Sequence, residues 1–181
     1  MTFLEEAFER GFIKQCTDMI ALEEHMKNQT LAYIGFDCTA DCLHVGSLIQ
    51  LMMFRLLEKH GHLPIVLLGG ATTKIGDPSG KDTSRKMLSD DEIDLNTFGI
   101  TKCIDNFIPG ISRTNNSTWM DKLHYMDILQ EVGTHFTINR MMTMDSVKTR
   151  LEKENPMTFL EFNYIIFQSY DFLKLLKSFG V

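Results

Sequence analysis

The sequence has no long hydrophobic run and no recognisable targeting segment. No apolar stretch approaches the roughly 20 residues that a membrane-spanning helix needs. The N-terminal segment MTFLEEAFER is acidic from its fifth residue onward, whereas a signal peptide has a basic start and an apolar middle. We therefore expect no membrane partner and a cytoplasmic location.

Cysteine is scarce, and the few cysteines show neither a disulfide nor a zinc pattern. The four are Cys16, Cys38, Cys42 and Cys103, and no two of them form a CxxC pair. Reduced thiols fit this spacing better than a disulfide framework. Cys38, Cys42 and His44 lack a fourth ligand and the standard zinc spacing, so we expect no metal site.

An excess of basic residues is also missing. The chain has 18 Lys and Arg against 24 Asp and Glu, which gives a net charge of −6. A protein that coats nucleic acid through a broad basic face is therefore disfavoured, although a nucleic-acid substrate held elsewhere is not. There is no internal repeat and no Pro/Ser-rich linker. The 181 residues, 44% of them hydrophobic, are enough for one domain with a sizeable core.

The pattern of apolar residues predicts an α/β protein. The runs LAYIGF, residues 31–36, and PIVLLGG, residues 64–70, read as buried strands. Between them, apolar residues recur at helical spacing over residues 43–60, and Gly61 ends the helix. A strand, a helix and a strand at this spacing predict a right-handed βαβ unit with two parallel strands.

Further helices are predicted from capping boxes and from apolar periodicity. A Ser or Thr is followed three residues later by Glu at Thr2, Ser89 and Thr158, which is the signature of a helix start. The predicted helices span residues 2–11, 18–27, 89–109, 122–132, 145–153 and 158–179. The segment 110–118 is polar and is predicted to be turn-like.

Polar side chains follow the first predicted strand, at the sheet edge where ligands bind in open parallel sheets. The loop carries Thr39 and His44, and the helix that begins near His44 points its free N–H groups and positive dipole end into the same crevice, which favours phosphate. Gly46, in the first turn, leaves room for a flat ring or a ribose against the backbone. The ordinary interpretation of His44 is a helix cap, and it stays open here.

The loop after the second strand, GGATTKIGDPSGKD, lies at the same predicted edge. Asp77 offers a negative charge for an ammonium group, and Lys81 and Arg85 could contact a polyphosphate. DPSG alone is a common turn, and the segment lacks the GxxxxGK[ST] pattern of a phosphate loop. The combination of the two loops favours a functional site more than any one residue does.

The last predicted helix carries a polar stripe on an apolar background. Tyr164, Gln168 and Asp171 fall at i, i+4 and i+7 and therefore share one face. Such a stripe is costly to bury without partners. Either the three side chains are satisfied internally, or they face Tyr33 and Asp77 across a pocket that binds a small polar ligand.

Three motifs resemble a known family. YIGFDCTADCLHVGSL, LLGGATTKIGDPSGK and FLEFNYIIFQSYDF, in this order, are similar to segments of bacterial tyrosyl-tRNA synthetases, which are class I enzymes. The resemblance covers essentially the whole chain. It implies a Rossmann-type parallel sheet with flanking helices, followed by a helical insertion. The segment HVGS stands where the family has a His-Ile-Gly-His signature, so Ser47 replaces the second histidine.

The resemblance also implies roles for the candidate residues in activating tyrosine. Thr39 and His44 would stabilise the pyrophosphate end of ATP, and Lys81 and Arg85 would hold the leaving pyrophosphate. The residues implied to bind tyrosine are Tyr33 and Asp171 at its phenol, and Asp77, Tyr164 and Gln168 at its ammonium group. The residues implied to bind ATP are Gly35, Asp37, His44, Gly46 and Ser47. Asn116 and Trp119 would lie at the pocket wall.

The same resemblance implies partners and a domain arrangement. The expected partners are L-tyrosine, ATP with Mg²⁺ and tRNA(Tyr), without a tightly bound cofactor, and a homodimer with Phe159 at its interface. Residues from about 1 to 110 would form the nucleotide-binding half and residues from about 111 to 181 a helical connective region. Because the family's later motifs and tRNA-binding domains are missing here, we expect the chain to correspond to the N-terminal part of a longer enzyme and to be inactive alone.

Two other functions remain open from the sequence. One is a tryptophan-specific relative or another adenylyl-transferring enzyme, against which the pairing of Tyr33 with Asp171 argues. The other is a non-catalytic protein that keeps the fold as a binding or dimerisation module.

Overall fold

The computed structural model describes residues 1–78 and 87–180. Its strands are β1 (Leu31–Asp37), β2 (Leu63–Gly69) and β3 (Ser112–Asn115). Its helices are α1 (Phe3–Glu9), α2 (Met19–His25), α3 (Leu48–Lys59), α4 (Gly70–Ile75), α5 (Asp90–Phe107), α6 (Ser117–Met120), α7 (Tyr125–Glu131), α8 (Ile138–Met142), α9 (Asp145–Glu152), α10 (Phe159–Phe162) and α11 (Tyr164–Phe179). Short 3₁₀ turns lie at Val45–Ser47 and Gly133–His135. The predicted α/β architecture is confirmed.

The three strands form one parallel sheet in the order β1-β2-β3. Tyr33 pairs with Ile65, and Ile65 pairs in turn with Ser112, so the strands are aligned without large stagger. The central strand β2 is buried at every position after Leu63. As a result Asp37, Gly69 and the end of β3 meet at one edge, where the predicted ligand loops also lie.

The hydrophobic core forms two clusters. The larger packs helices α1, α3 and α5 against the sheet, and its fully buried members include Phe54, Ile100 and Val66. The smaller joins α7, α8 and α11 through the buried side chains of Ile128, Val132, Met141, Ile166 and Tyr170. The polar face of α11 is thereby left facing the carboxyl edge of the sheet.

Helix α1 is held on α3 by one buried carboxylate. Glu6, 4% exposed, accepts hydrogen bonds from Arg10 Nη2 at 2.6 Å, Lys59 Nζ at 2.7 Å and His60 Nε2 at 2.8 Å. The bonds from Lys59, then His60 and Arg10, lower the pKa of Glu6 to about 2. The N-terminal helix is therefore fixed to the βαβ unit by charge as well as by apolar packing.

Several predicted elements differ from the observed ones. The segment 110–118, predicted to be turn-like, contains strand β3. Because this strand is short and half exposed, its sequence SRTN lacks the apolar residues that would have indicated a strand. The second loop begins with helix α4 rather than with irregular chain. The α-helix predicted from Leu43 begins at Leu48, after a 3₁₀ turn. The last helix is interrupted at Asn163, and α6 and α8 were not predicted.

The three capping boxes are confirmed, with reciprocal hydrogen bonds at Thr2, Ser89 and Thr158. Across the part of the chain that the structure describes, every helix is too short or too polar to cross a bilayer.

Candidate active site

Two adjoining cavities lie at the carboxyl edge of the sheet. The inner cavity, of about 180 Å³, lies between the strand ends and α11. The outer cavity, of about 360 Å³, lies between the strand ends and the loop before α3. They share one wall, formed by Gly35, Phe36, Asp37 and Asp77. A ligand that spans both cavities must therefore pass Asp37 and Asp77.

The inner cavity collects the predicted tyrosine-binding residues. Its lining includes Tyr33 from β1, Asp77 from the loop after α4, and the three polar residues of α11, Tyr164, Gln168 and Asp171. Tyr164, Gln168 and Asp171 reach it together because their i, i+4, i+7 spacing puts them on one face of the helix. The three side chains line a cavity, and Tyr164 and Asp171 also have internal hydrogen-bond partners, so the structure combines both interpretations that the sequence left open.

Asp171 is a buried carboxylate at the end of the inner cavity away from the shared wall. Its side chain is 3% exposed, and its two oxygens accept from Asn116 Nδ2 at 3.0 Å and Trp119 Nε1 at 2.8 Å. Burial raises the pKa of Asp171 to about 6 although both hydrogen bonds oppose this shift. The residue is therefore ionised at neutral pH and ready to accept a further donor.

Tyr33 lies at the same end as Asp171. Its ring meets that of Phe172 edge-on, with centroids 5.7 Å apart. Burial, and then the charge of Asp171, raise the pKa of the Tyr33 hydroxyl well above its usual value. Tyr33 consequently stays protonated, and a phenolic and a carboxylate group are both available to a ligand hydroxyl.

The shared wall is acidic. The Tyr164 hydroxyl donates to Asp37 Oδ2 at 3.4 Å, and the Thr72 hydroxyl donates to Asp37 Oδ1 at 2.9 Å. Burial, with the nearby charges of Asp37 and Asp77, raises the pKa of Tyr164 far above its usual value. Among the described residues that line the inner cavity there is no Lys or Arg. This end suits a cationic group such as an ammonium.

The outer cavity collects the residues predicted to contact ATP. Its lining includes Thr39, His44, Gly46 and Ser47, together with Gly35 and Asp37 of the shared wall. His44 caps the 3₁₀ turn, because its Nδ1 accepts the Gly46 N–H at 3.0 Å. The ordinary interpretation of His44 is thus confirmed, but the neutral ring then carries its hydrogen on Nε2, which remains a donor for phosphate.

Gly46 has a structural role in the turn that caps the helix. A Cβ at this position would lie 2.7 Å from His44 Cε1, so the space is used by the imidazole that caps the turn. Glycine is needed here to let the His44 ring fold back over the chain. Gly46 also lines the outer cavity, and its role beside a ribose or flat ring stays a prediction.

The loop that carries Thr39 and His44 is anchored on α5 and α4. Asn96 Nδ2 donates to the Cys38 carbonyl at 3.0 Å, and the Cys38 N–H donates to Thr73 Oγ1 at 2.7 Å. The Asp41 carbonyl oxygen approaches Gly99 so closely that a Cβ at this position would overlap it. This close approach fixes the loop against α5, and it could not be foreseen from the sequence around Gly99.

The remaining predicted residues are spread more widely. Lys81 and Arg85 lie outside the described residues. Phe159 stands on α10 with 69% of its surface exposed. Asn116 lines the inner cavity and is completely buried, whereas Trp119 reaches Asp171 from behind and is not part of the lining.

Two polar side chains that line the cavities were not predicted from the sequence. Thr72, 3% exposed, lies under the shared wall; a loop over GGATTKI, as the sequence predicts, gives no reason to place it there. Gln50 lines the outer cavity one turn after Ser47, and in the described part of the chain its amide makes no hydrogen bond. Its i+3 spacing from Ser47 on the predicted helix is the signal that could have indicated it.

Comparisons with known proteins agree with this geometry. The profile of the family described as tRNA synthetases class I (W and Y) matches residues 25–179. The tyrosine–tRNA ligase of Rickettsia bellii is 52% identical over 187 residues, covering 99% of this chain and 46% of the relative. That of Pelagibacter ubique is 54% identical over 183 residues, covering 97% of this chain and 45% of the relative.

Solved structures give the same result. The C-terminally truncated mitochondrial tyrosyl-tRNA synthetase of Aspergillus nidulans superimposes with a TM-score of 0.83 at 28% identity, covering 97% of this chain and 54% of that one. The corresponding protein of Coccidioides posadasii gives 0.81 at 27% identity, covering 98% and 52%. The chain spans about half the length of the curated relatives it matches.

Proposed function

The chain belongs to the class I tRNA synthetase family that comprises the tryptophan and tyrosine enzymes, and from this premise we propose that it carries the site that activates L-tyrosine with ATP. The observation that carries the proposal is the pair of cavities that meet at Asp37 and Asp77. The inner cavity is polar at its buried end and acidic at the shared wall, and these two ends suit the phenol and the ammonium group of an amino acid. The other begins where that amino acid would end.

Tyrosine fits the inner cavity in one orientation. Its phenol lies at Tyr33 and Asp171, where the ionised carboxylate accepts the hydroxyl hydrogen. Its ammonium group lies at the acidic wall with Asp77, Tyr164 and Gln168. The substrate carboxylate then faces the outer cavity, and this is the group that has to react.

ATP fits the outer cavity with its α-phosphate at the shared wall. Gly35, Asp37, His44, Gly46 and Ser47 surround the nucleotide, and the carboxylate of tyrosine attacks the α-phosphorus. The bond to pyrophosphate breaks as tyrosyl-adenylate forms, and no side chain of the protein becomes covalently bound. Thr39 and the Nε2–H of His44 stabilise the charge that grows on the phosphates, helped by Lys81 and Arg85 from the segment outside the described residues.

We propose that Mg²⁺ accompanies ATP. Magnesium is usually bound through substrate phosphates and one or two carboxylates, and Asp37 and Asp77 line the outer cavity. Among the described residues no group of three His, Cys, Asp or Glu is placed to hold a metal by itself. The ion would therefore arrive with the nucleotide.

Transfer of tyrosine to tRNA(Tyr), a homodimer with Phe159 at its interface, and a cytoplasmic location complete the proposal. The curated relatives are tyrosine–tRNA ligases about twice the length of this chain. Transfer to tRNA is therefore proposed for the complete enzyme and not for these residues alone.

A tryptophan-specific site is the second candidate, because the family includes such enzymes. A ligand hydroxyl can donate to Asp171 and accept from the Tyr33 hydroxyl, whereas an indole N–H can only donate, so the pair of Asp171 and Tyr33 favours a phenol over an indole.

Calorimetric titration of the chain with L-tyrosine, L-phenylalanine and L-tryptophan tests the proposal. Tyrosine should bind, and phenylalanine should bind about 10- to 100-fold more weakly, since it lacks the hydroxyl that would donate a further hydrogen bond to Asp171. Tyr33→Phe should weaken tyrosine binding, whereas Tyr125→Phe, which removes a phenol that lies on exposed α7, should not. A preference for tryptophan, or binding of none of the three, would contradict a tyrosine site in this chain.

A further inference from the structure

A continuous series of side-chain hydrogen bonds runs beneath the inner cavity, from its phenol end to the shared wall. We call it the floor network; its members, in order, are Trp119, Asp171, Asn116, Thr72, Asp37 and Tyr164. It joins the carboxylate at one end of the cavity to the carboxylate at the other. Side chains as far apart as 127 positions in the sequence lie within hydrogen-bond distance of each other in this network.

The direction of each bond at the centre of the network is fixed. Asn116 Oδ1 accepts the Ala71 N–H at 2.8 Å, so its NH₂ group must point the other way. That group donates to Asp171 Oδ2 at 3.0 Å and to Thr72 Oγ1 at 3.1 Å. Asn116 is completely buried, so its two amide hydrogens depend on these two acceptors.

The hydroxyl of Thr72 is the link between the two halves. Because it accepts from Asn116, its own hydrogen is free to be donated, and Asp37 Oδ1 lies 2.9 Å away. The Gly69 carbonyl, at 3.3 Å, is the weaker alternative acceptor. Within the floor network both carboxylates therefore only receive hydrogens, which suits two ionised acids.

We propose that Thr72 is a positioning residue that couples recognition of the substrate hydroxyl at Asp171 to recognition of the substrate ammonium group at Asp37. The ligand part of this proposal rests on the tyrosine site proposed above. Without the Thr72 hydroxyl, a buried hydrogen of Asn116 loses its acceptor, and the Asn116 amide shifts away from its bond to Asp171. A charge placed at Asp37 then no longer influences Asp171 through the polarised series of bonds.

The single tryptophan of the chain provides a reporter that needs no ligand. The Trp119 indole N–H contacts Asp171 but not Thr72, and it gives one cross-peak in a ¹H–¹⁵N spectrum. Thr72→Val, which keeps the shape and removes the hydroxyl, should move this peak by more than its linewidth, and Thr72→Ser should leave it in place. Thr73→Val is the matched control, since Thr73 is also buried on α4 but bonds to Cys38 N and the Gly69 carbonyl.

A double-mutant cycle separates transmission through Thr72 from a general disturbance. Asp37→Asn should shift the Trp119 peak in the wild-type background and shift it clearly less in the Thr72→Val background. Equal shifts in both backgrounds overturn the proposal. If Thr72→Val does not fold, Asp37→Asn is measured alone, and a Trp119 peak that does not move in this variant overturns the proposal.

Binding of four ligands tests the coupling directly. Relative to L-tyrosine, L-phenylalanine lacks the hydroxyl, desaminotyrosine lacks the ammonium group, and hydrocinnamate lacks both. In wild type and Thr72→Ser, the two groups should strengthen each other's binding by about threefold or more, and in Thr72→Val this factor should fall to about one. A factor unchanged in Thr72→Val overturns the coupling. If the Trp119 peak shifts as expected in the double-mutant cycle but tyrosine does not bind, the proposed function is overturned and the floor network is established.

Discussion

Asp171 is the residue whose charge the proposed tyrosine site depends on most. Its pKa is raised to about 6 by burial, and the ionised form accepts the phenol hydrogen much more strongly than the protonated carboxyl does. We therefore predict that the Kd for L-tyrosine rises about tenfold between pH 7 and pH 5, as the carboxyl takes up its proton. Calorimetry across this range measures it, and Asp171→Asn should bind weakly with no pH dependence over the same interval.

The pH dependence of the stability of the unliganded protein should have the opposite sign. Acidification weakens tyrosine binding, but through Asp171 it favours the folded state. The folded-state pKa of Asp171 lies above the unfolded value of 3.8, so the contribution of this group to stability is present below that value and is lost as the pH rises through about 6.

Tyrosine affinity that is flat from pH 7 to pH 5 in the wild type would contradict the role given to Asp171.

At the residue scale, sequence reasoning succeeded where a single element sets the geometry. The spacing of Tyr164, Gln168 and Asp171 was enough to predict their common face. The function of Thr72 was not accessible, because it depends on Asn116 and Asp37, which approach it only after the sheet has formed. The hydroxyl of Thr72 has no local sequence signature.

At the scale of elements, the outer cavity depends on how closely the loop before α3 approaches α5. A Cβ at Gly99 would overlap the Asp41 carbonyl oxygen. We predict that Gly99→Ala lowers the free energy of unfolding by about 1–3 kcal/mol and weakens ATP binding about tenfold, because the loop carrying His44 must move. Tyrosine binding in the inner cavity should change little.

Gly133→Ala is the matched control for this substitution, since its added Cβ would meet its nearest neighbour, Leu129, at an ordinary 3.5 Å. Urea denaturation and nucleotide titration of both variants make the comparison. Equal effects of the two substitutions on ATP binding would show that the α5 contact does not hold the outer cavity.

The connection between α9 and α10 rests on a buried ion pair. Arg150 is 2% exposed, and its Nη2 lies 3.2 Å from Glu161 Oε1 and 2.7 Å from the Pro156 carbonyl. Removing the guanidinium leaves Glu161 buried without this charge partner. We predict that Arg150→Met costs about 3–5 kcal/mol in free energy of unfolding, measured by urea denaturation.

The exposed pair of Lys148 and Glu152, 3.8 Å apart on the same helix, provides the control. Lys148→Met should cost less than about 1 kcal/mol, because solvent screens this pair. A similar cost for both substitutions would mean that the buried pair is replaceable by packing alone.

Elements with strong local signals could be predicted from the sequence, and the others could not. β1 and β2 are largely apolar runs, of which β2 is buried at every position after Leu63, and the capping boxes mark three helix starts. β3 has the polar sequence SRTN and becomes a strand only through its hydrogen bonds to β2. Its existence is a tertiary effect.

At the scale of the whole molecule, the proposed homodimer is open to a direct test. Phe159 and Phe98 both expose 69% of their surface, on α10 and α5 respectively. If Phe159 lies at the interface, Phe159→Asp should shift the protein from dimer to monomer in analytical ultracentrifugation, because burying a charge there is costly. Phe98→Asp should leave the oligomeric state unchanged. A dimer that persists in Phe159→Asp would contradict this interface.

The central claim is that one ligand spans the inner and outer cavities across the wall of Asp37 and Asp77. The most direct measurement is a titration with tyrosyl-sulfamoyl-adenosine, a stable analogue of tyrosyl-adenylate, in competition with L-tyrosine and with ATP. It should bind about 100-fold or more tightly than L-tyrosine and displace both substrates, because joining the two parts removes the cost of binding the second. An analogue that binds no more tightly than tyrosine, or that leaves ATP bound, would contradict the account.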